Sequence, residues 1–260
     1  MVDLFSLYTG DIMPSKAASW NTEELFLLAR ENYGEKHVSD LQAYLNSISK
    51  RIRMAAYHSL ESRDMLKGFF THETEIENYE QGFDLIFGHM TANIEEEEKE
   101  KSVLFHNVLW KAEAHVIACA HAIHSLIDIM AQVINSGLNL KINENDVTIN
   151  KVKQASVKYT KIYSLLTELT DREEYKYLVA FANSQKHIFC VPATFTIQME
   201  VKVGERAYGL KIPNFTFKTS HYAEKWSDDL VVKDFVILKD RLINIGIEIN
   251  KTLKDKKSLL

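Results

Sequence analysis

The sequence has few residues that interrupt helices, with 3 prolines and 9 glycines among 260 residues. Average proteins place roughly 12% of their residues in these two types. No proline lies between Pro14 and Pro192. Proline and glycine are the strongest breakers of regular structure. Their scarcity therefore predicts long helices over most of the chain.

Cysteine is also scarce, and the two cysteines are Cys119 and Cys190. Both lie in apolar stretches, where a thiol behaves as a small hydrophobic side chain. Their wide separation fits neither a metal-ligand pair nor a redox motif. Residues 1–20 lack a basic segment followed by an apolar run, so they do not resemble a secretory signal. We therefore expect free thiols and a cytoplasmic protein.

A surplus of positive charge is missing too, because 31 Lys and Arg residues stand against 36 Asp and Glu residues and give a net charge of −5. Proteins that act on nucleic acid usually carry a basic footprint, which the chain as a whole lacks. Its most apolar long stretch, residues 116–134, contains His121, His124 and Asp128. These side chains are costly in lipid, so the stretch is predicted as a core helix without membrane contact.

The hydrophobic periodicity predicts a mainly α protein. Helical spacing of apolar residues covers most of the chain up to His187, and again its C-terminal part. The predicted helices span residues 22–33, 38–70, 73–101, 102–135, 148–169, 172–187 and 230–253. Ser136 and Gly137 are expected to close the longest of them. Since no Gly-, Pro- or Ser-rich linker divides the chain, residues 1–260 are interpreted as one helical-bundle domain.

After His187 the spacing of apolar residues changes from helical to alternating. Residues 193–203 and 206–218 alternate and are rich in Val, Ile, Thr, Phe and Tyr, and they flank Gly204 and Glu205. This arrangement is typical of a β-hairpin. The sequence thus predicts one hairpin, residues 193–218, inserted before the C-terminal helix. One face of the hairpin is expected to pack on the bundle; the alternative is an exposed platform for a partner.

A stripe of ionisable residues follows the predicted helix 102–135. Glu113, His121, His124 and Asp128 fall within about 80° of one another at 100° per residue, beside an apolar face. Three interpretations remain open. The stripe can form a hydrogen-bonded network, it can bind a transition metal through imidazole and carboxylate, or it can line a ligand or catalytic pocket.

A second group of polar residues ends the helix before the hairpin. Asn183 and His187 are four residues apart and share a helix face, and Lys186 lies one turn from Asn183. The negative end of the helix dipole favours a protonated imidazole at His187. These residues are candidates for acid–base chemistry, with helix capping by Lys186 and His187 as the structural alternative.

Residues 102–187 resemble the HEPN superfamily of helical bundles, which has a long polar-striped helix followed by a helix ending in a polar residue and a histidine. Asn183 and His187 match that pattern, whereas Ala182 stands where the family commonly has arginine. An Arg-x4-His sequence also occurs at Arg53 and His58, but a match this short arises by chance. The resemblance implies a metal-independent endoribonuclease of a bacterial toxin–antitoxin or phage-defence system, with RNA as substrate and a partner protein encoded nearby.

Several other activities lack sequence support, because no Gly-rich nucleotide loop, Gly-x-Ser-x-Gly elbow, Cys-x-x-Cys or His-Glu-x-x-His occurs. No cofactor is therefore expected. The sequence leaves three functional hypotheses. The first is a ribonuclease using His187, Asn183 and Lys186; the second is a non-catalytic interaction or sensor module; the third is a metal-binding bundle. A homodimer is expected.

Overall fold

Eight α-helices and five short strands form the regular structure of residues 19–70, 75–87, 95–198 and 206–257, which are the residues that the computed structural model describes. The helices are α1 (Thr22–Tyr33), α2 (Leu41–Lys67), α3 (Glu75–Phe87), α4 (Glu96–Leu138), α5 (Ile149–Ala155), α6 (Thr160–Asp171), α7 (Glu173–His187) and α8 (Phe235–Lys257). The strands are β1 (Thr194–Ile197), β2 (Tyr208–Ile212), β3 (Phe215–Phe217), β4 (Ser220–Tyr222) and β5 (Lys225–Trp226). The prediction of a mainly α fold with strands before the last helix is confirmed.

Local capping explains where α1 begins and ends. The side chain of Asn21 accepts a hydrogen bond from the backbone N–H of Glu24 at 3.0 Å, which satisfies one of the unpaired donors of the first turn. Gly34 follows the helix with a φ of 88°, a conformation that glycine adopts without steric cost. Both signals are readable in the sequence.

The longest helix, α4, is longer than predicted at both ends. Its N-terminus lies within a run of four glutamates, residues 95–98, where carboxylates are stabilised by the helix dipole. It passes through Gly137 and ends where Asn139 adopts a φ of 52°. The N–H groups of Asn139 and Leu140 bond back to Ser136 and Asn135, which is the Schellman arrangement. The predicted stop at Ser136 and Gly137 is thus a little too early.

Helix α4 is also the one described helix that is long and apolar enough to cross a membrane. Just over half of its most apolar window is buried within the protein, as in the core helix of a folded domain. This apolar character is therefore weak evidence for a membrane span.

Two predicted helices are each interrupted. The segment 73–101 contains all of α3 and the start of α4, and residues 88–94 between them lie outside the described residues. The segment 148–169 breaks after α5, where the N–H of Ser156 bonds to two carbonyls of the last turn. Tyr159, just before α6, donates from its hydroxyl to the carbonyl of Leu138 at 3.5 Å. This long-range contact lies at the break between α5 and α6, which the hydrophobic periodicity of the segment does not predict.

The β region contains more strands than the single predicted hairpin. Strands β1 and β2 pair antiparallel, with Thr194 opposite Lys211, and β5 pairs with the other edge of β2. Strands β3 and β4 form a second small hairpin. The predicted strand 206–218 divides because Pro213, which has no N–H to donate to a ladder, follows β2. The predicted turn at Gly204 and Glu205 lies outside the described residues.

The chain clusters into two compact units, each discontinuous in sequence. The first comprises the described residues of 1–55, 121–179 and 233–260; the second comprises those of 56–120 and 180–232. The boundaries fall within α2, α4 and α7 and in the π-helical segment Asp229–Asp234 that precedes α8. The single-domain prediction stays a prediction.

The first unit has an aliphatic core. Its largest fully buried side chains are Leu25, Leu41, Ile123, Leu126, Met130, Ile134, Leu138, Ile162, Leu166 and Leu169. A polar link joins α1 to α8, because the side-chain amide of Asn250 donates to the carbonyl of Asn21 and to Glu24, each at 2.9 Å. The indole N–H of Trp20 donates to the Asn250 side-chain oxygen at 3.3 Å.

The second unit has an aromatic core, in which the hairpin packs on helices. The ring of Phe195 on β1 contacts Phe70 and Phe105, with centroid distances of 5.5 and 5.2 Å. Tyr208 on β2 lies 4.5 Å from the Phe70 ring. These contacts place one face of the sheet against the end of α2 and against α4. The platform alternative is therefore not supported for Phe195 and Tyr208.

Candidate functional site

Two residues of the ionisable stripe of α4 contact each other in the first unit. Nδ1 of His124 lies 3.3 Å from a carboxylate oxygen of Asp128, one turn further along the helix. The imidazole is mostly buried, whereas the carboxylate is exposed. The two groups are thus within ion-pair distance, with the Asp128 carboxylate accessible to water. His121, one turn before His124, is half-buried.

A tyrosine that the sequence reasoning missed lies near this pair. Burial raises the pKa of the Tyr175 hydroxyl to about 12, and the negative charge of Asp128 adds to the shift. Tyr175 belongs to the first turn of α7, and its hydroxyl is thus kept protonated as a donor at neutral pH. The signal was not available from the sequence, because Tyr175 and Asp128 belong to different helices.

Glu113, the fourth residue of the stripe, has a structural partner in the second unit. One of its carboxylate oxygens accepts a hydrogen bond from the backbone N–H of Ala193 at 2.9 Å. Ala193 is buried and directly precedes β1. Glu113 therefore fixes the start of the sheet on α4. The residues around it line a shallow depression of about 270 Å³, with Trp110 and Phe195 among them.

The predicted catalytic residues lie at the end of α7, also in the second unit. Lys186 and His187 are exposed, and Asn183 is half-buried on the same helix. The N–H groups of Ile188 and Phe189 both bond to the carbonyl of Ser184, which closes the helix. The helix thus ends in a cationic side chain and an imidazole that are both open to solvent. The capping of the last turn, in contrast, comes from backbone N–H groups.

Ala182 occupies the position at which HEPN proteins commonly have arginine, and its surroundings are closed to solvent. Ala182 is 0% exposed. An arginine there would bring a guanidinium into the core, where an unpaired charge is strongly unfavourable. The local packing therefore suits the small side chain that the sequence has. Lys186, one turn on, is the nearest exposed cation on the same helix.

A histidine pair was not predicted. Nδ1 of His58 on α2 lies 2.9 Å from Nδ1 of His115 on α4, so one ring donates a hydrogen bond to the other. The exposed ring of Tyr57 lies edge-on to both, with centroid distances of 5.2 and 6.0 Å. Burial and the charge of His115 lower the pKa of His58, and Glu61 opposes this shift. The two rings are thus joined by a hydrogen bond in which His58 is disfavoured as the charged partner.

The metal-binding hypothesis gains no geometric support. Within the described ranges, no three His, Cys, Asp or Glu side chains group closely enough to hold a metal ion. His124 and Asp128 form a pair, and His58 and His115 form another. Cys119 is buried, and its burial raises the pKa of the thiol, which disfavours the thiolate needed for metal binding.

Comparisons with protein-family models, with characterised proteins and with solved structures find no match for this chain.

Proposed function

We propose that the protein is an HEPN-like RNA-cleaving protein whose reactive residue is His187. The observation that carries the proposal is the end of α7, where His187 and Lys186 are both exposed to solvent. A group that transfers protons to a bound polymer must be reachable by that polymer. The mainly α fold and the Asn183 to His187 pattern agree with the HEPN resemblance.

The proposed reaction uses the ribose of the substrate as its nucleophile. The 2′-oxygen forms a bond to the adjacent phosphorus, and the bond between phosphorus and the 5′-oxygen breaks. The proton of the 2′-hydroxyl leaves and a proton reaches the 5′-oxygen; His187 carries out one of these transfers as general base or acid, and water carries out the other. Lys186 neutralises phosphate charge, and Asn183 orients the imidazole.

The direct test is cleavage of a labelled single-stranded RNA in the presence of EDTA. We expect products with 2′,3′-cyclic phosphate and 5′-hydroxyl ends, and a loss of about 100-fold in His187→Ala. Lys186→Ala is expected to lose about tenfold at low salt and less at high salt, because salt screens the interaction of a lysine with phosphate. His221→Ala, which removes another exposed histidine of the second unit, is the matched control. Equal cleavage by wild type and His187→Ala, or none by either, contradicts the proposal.

A toxin–antitoxin or phage-defence role in the bacterial cytoplasm belongs to the same proposal. In such a role the protein encoded beside this one binds it and restrains the cleavage. Co-expression and co-purification of the two proteins tests this. We expect RNA cleavage to fall when the partner is added in equimolar amount. Unchanged cleavage in a stable complex contradicts restraint by that partner.

The second candidate function is an interaction module. Exposed large apolar side chains are concentrated in the second unit, and the most exposed is Trp110, at 70%. Clusters of such side chains mark interaction surfaces. Light scattering of the purified protein, together with a binding assay against the neighbouring gene product, tests this function. A strict monomer that binds no such protein contradicts it.

A further inference from the structure

One face of α4 is exposed over most of its N-terminal half. We call it the outer face, and its residues are Glu96, Glu100, Val103, Asn107, Trp110, Lys111 and Ala114, all exposed. Their spacing of three and four residues places them on one side of the helix. Val103 is 56% exposed and Trp110 is 70% exposed. The opposite side, which includes Phe105 and Ala112, is buried.

A groove beside this face opens to solvent. Its volume is about 530 Å³, and its lining residues are Glu96, Lys99, Glu100, Val103, Leu104 and Asn107. All of them belong to α4. Among the described residues, therefore, no other element contributes a wall to this groove. A helix packed alongside would bury Val103 and Leu104, which are now exposed.

The charges on the outer face are arranged with opposite signs at its two ends. Glu96 and Glu97 already pair with the lysines of the next turn. Glu100 and Lys111, in contrast, have no ion-pair partner among the described residues. The two are 11 residues apart, roughly 16 Å along a helix, which is too far for a pair within one chain.

We propose that the outer face of α4 binds the same face of a second copy of this chain, with the two helices antiparallel. The proposal rests on the interaction function given above as the second candidate. A two-fold axis near Phe105 brings Glu100 of each copy next to Lys111 of the other. The same axis brings Val103 opposite Asn107 and leaves both Trp110 rings within the contact.

The antiparallel direction follows from charge. A parallel pair would place Glu100 beside Glu100 and Lys111 beside Lys111, and like charges facing each other disfavour association. The antiparallel pair joins opposite charges at both ends.

The test is a charge exchange across the proposed axis, measured by sedimentation equilibrium. Glu100→Lys and Lys111→Glu are each expected to raise the dimer dissociation constant about tenfold, because each leaves like charges in contact. The double variant, which exchanges the two charges, is expected to return to within about threefold of wild type. Restoration of this kind requires the two residues to meet between copies.

Two further variants complete the experiment. Trp110→Glu is expected to raise the dissociation constant about thirtyfold or more, because a large aromatic side chain within an interface is a typical binding hot spot. Lys141→Glu, which reverses an exposed charge in the other unit, is the matched control and is expected to leave the constant unchanged. Circular dichroism melts verify that each variant is folded, which is expected because the substituted side chains are exposed.

The outcomes separate this surface from the broader interaction function. A wild type that is monomeric at about 100 µM overturns the proposal, and binding to the neighbouring gene product then decides the interaction function by itself. If Trp110→Glu leaves the dimer intact, the outer face of α4 is not the dimer interface, and the interaction function still stands. A double variant as weak as the single variants overturns the antiparallel arrangement.

Discussion

The Nδ1 atoms of His58 and His115 lie 2.9 Å apart, so the two imidazoles share a hydrogen bond between α2 and α4. One ring must donate and the other must accept, which requires that at least one Nδ1 carries no proton. Protonation of both rings would break the bond and place two positive charges in contact. The pair therefore couples the packing of α2 on α4 to the pH.

Stability is expected to fall as the pH falls through the range in which His58 titrates. Burial and the charge of His115 hold the pKa of His58 below its ordinary value, which is about 6.5 in the unfolded chain. A histidine whose pKa is lowered by folding contributes its full stability above the unfolded pKa and loses it as the pH falls through the folded pKa. Urea unfolding between pH 7.5 and 5 measures this loss.

The matched variant for this prediction is His58→Gln, which cannot titrate. We expect a flatter dependence of the free energy of unfolding on pH, and a loss of about 1 kcal/mol at pH 7.5 from the hydrogen bond. His221→Gln removes an exposed histidine and is expected to keep the wild-type slope. The explanation fails if His58→Gln and wild type show the same slope.

Two glycines in helices are expected to respond in opposite directions to alanine. A Cβ added at Gly246 would lie 2.4 Å from ring atoms of Trp20, whereas a Cβ at Gly137 would meet Leu25 at an ordinary 3.6 Å. Gly246→Ala is therefore expected to destabilise by about 1–3 kcal/mol through overpacking. Gly137→Ala is expected to stabilise by up to about 1 kcal/mol, because alanine favours helix. Denaturant unfolding of both variants measures the contrast, and a Gly246→Ala protein as stable as wild type would show that Trp20 does not pack there.

The link between α1 and α8 through Asn250 is expected to be important for stability. Its side chain bonds to Asn21, Glu24 and Trp20, and it is buried. Asn250→Ala is expected to lower the free energy of unfolding by about 2 kcal/mol, because it removes three bonds and leaves polar groups without partners. Asn244→Ala, at an exposed position of the same helix, should change it by less than about 0.5 kcal/mol. Similar losses in the two variants would argue against the link.

Glu113 is expected to stabilise the fold as a hydrogen-bond acceptor, and its negative charge is not expected to be required. Glu113→Ala leaves the buried N–H of Ala193 without its acceptor and is expected to cost about 1–3 kcal/mol of stability. Glu113→Gln keeps an oxygen acceptor in the same place and is expected to cost less than half as much. Thermal unfolding of the two variants compares them. A Gln variant as unstable as the Ala variant would show instead that this contact needs the negative charge of Glu113.

Features that depend on neighbours within a turn or two were readable in the sequence. The cap of α1 at Asn21 and the end of α7 at His187 are set by hydrogen bonds over three to five residues. The contact of His124 with Asp128 is also local, because residues four apart meet on a helix. The fold class followed from the same periodicity.

Features that depend on distant partners were not readable. His58 and His115 are 57 residues apart in the chain, and Glu113 and Ala193 are 80 apart. The Glu113 carboxylate was a candidate ligand, and only the packed structure gives it a backbone N–H as partner. The break between α5 and α6 likewise accompanies a contact of Tyr159 with the end of α4.

The amino-acid sequence by itself determined that this chain is mainly helical, where most helices lie, and which polar residues share a helix face. These properties arise from steric preferences and hydrogen bonds between near neighbours. Only the tertiary structure decided which imidazoles pair, which carboxylate anchors the sheet and which face of α4 stays open to solvent. Those outcomes depend on which helices pack together, and packing is a property of the whole buried surface that no short segment contains.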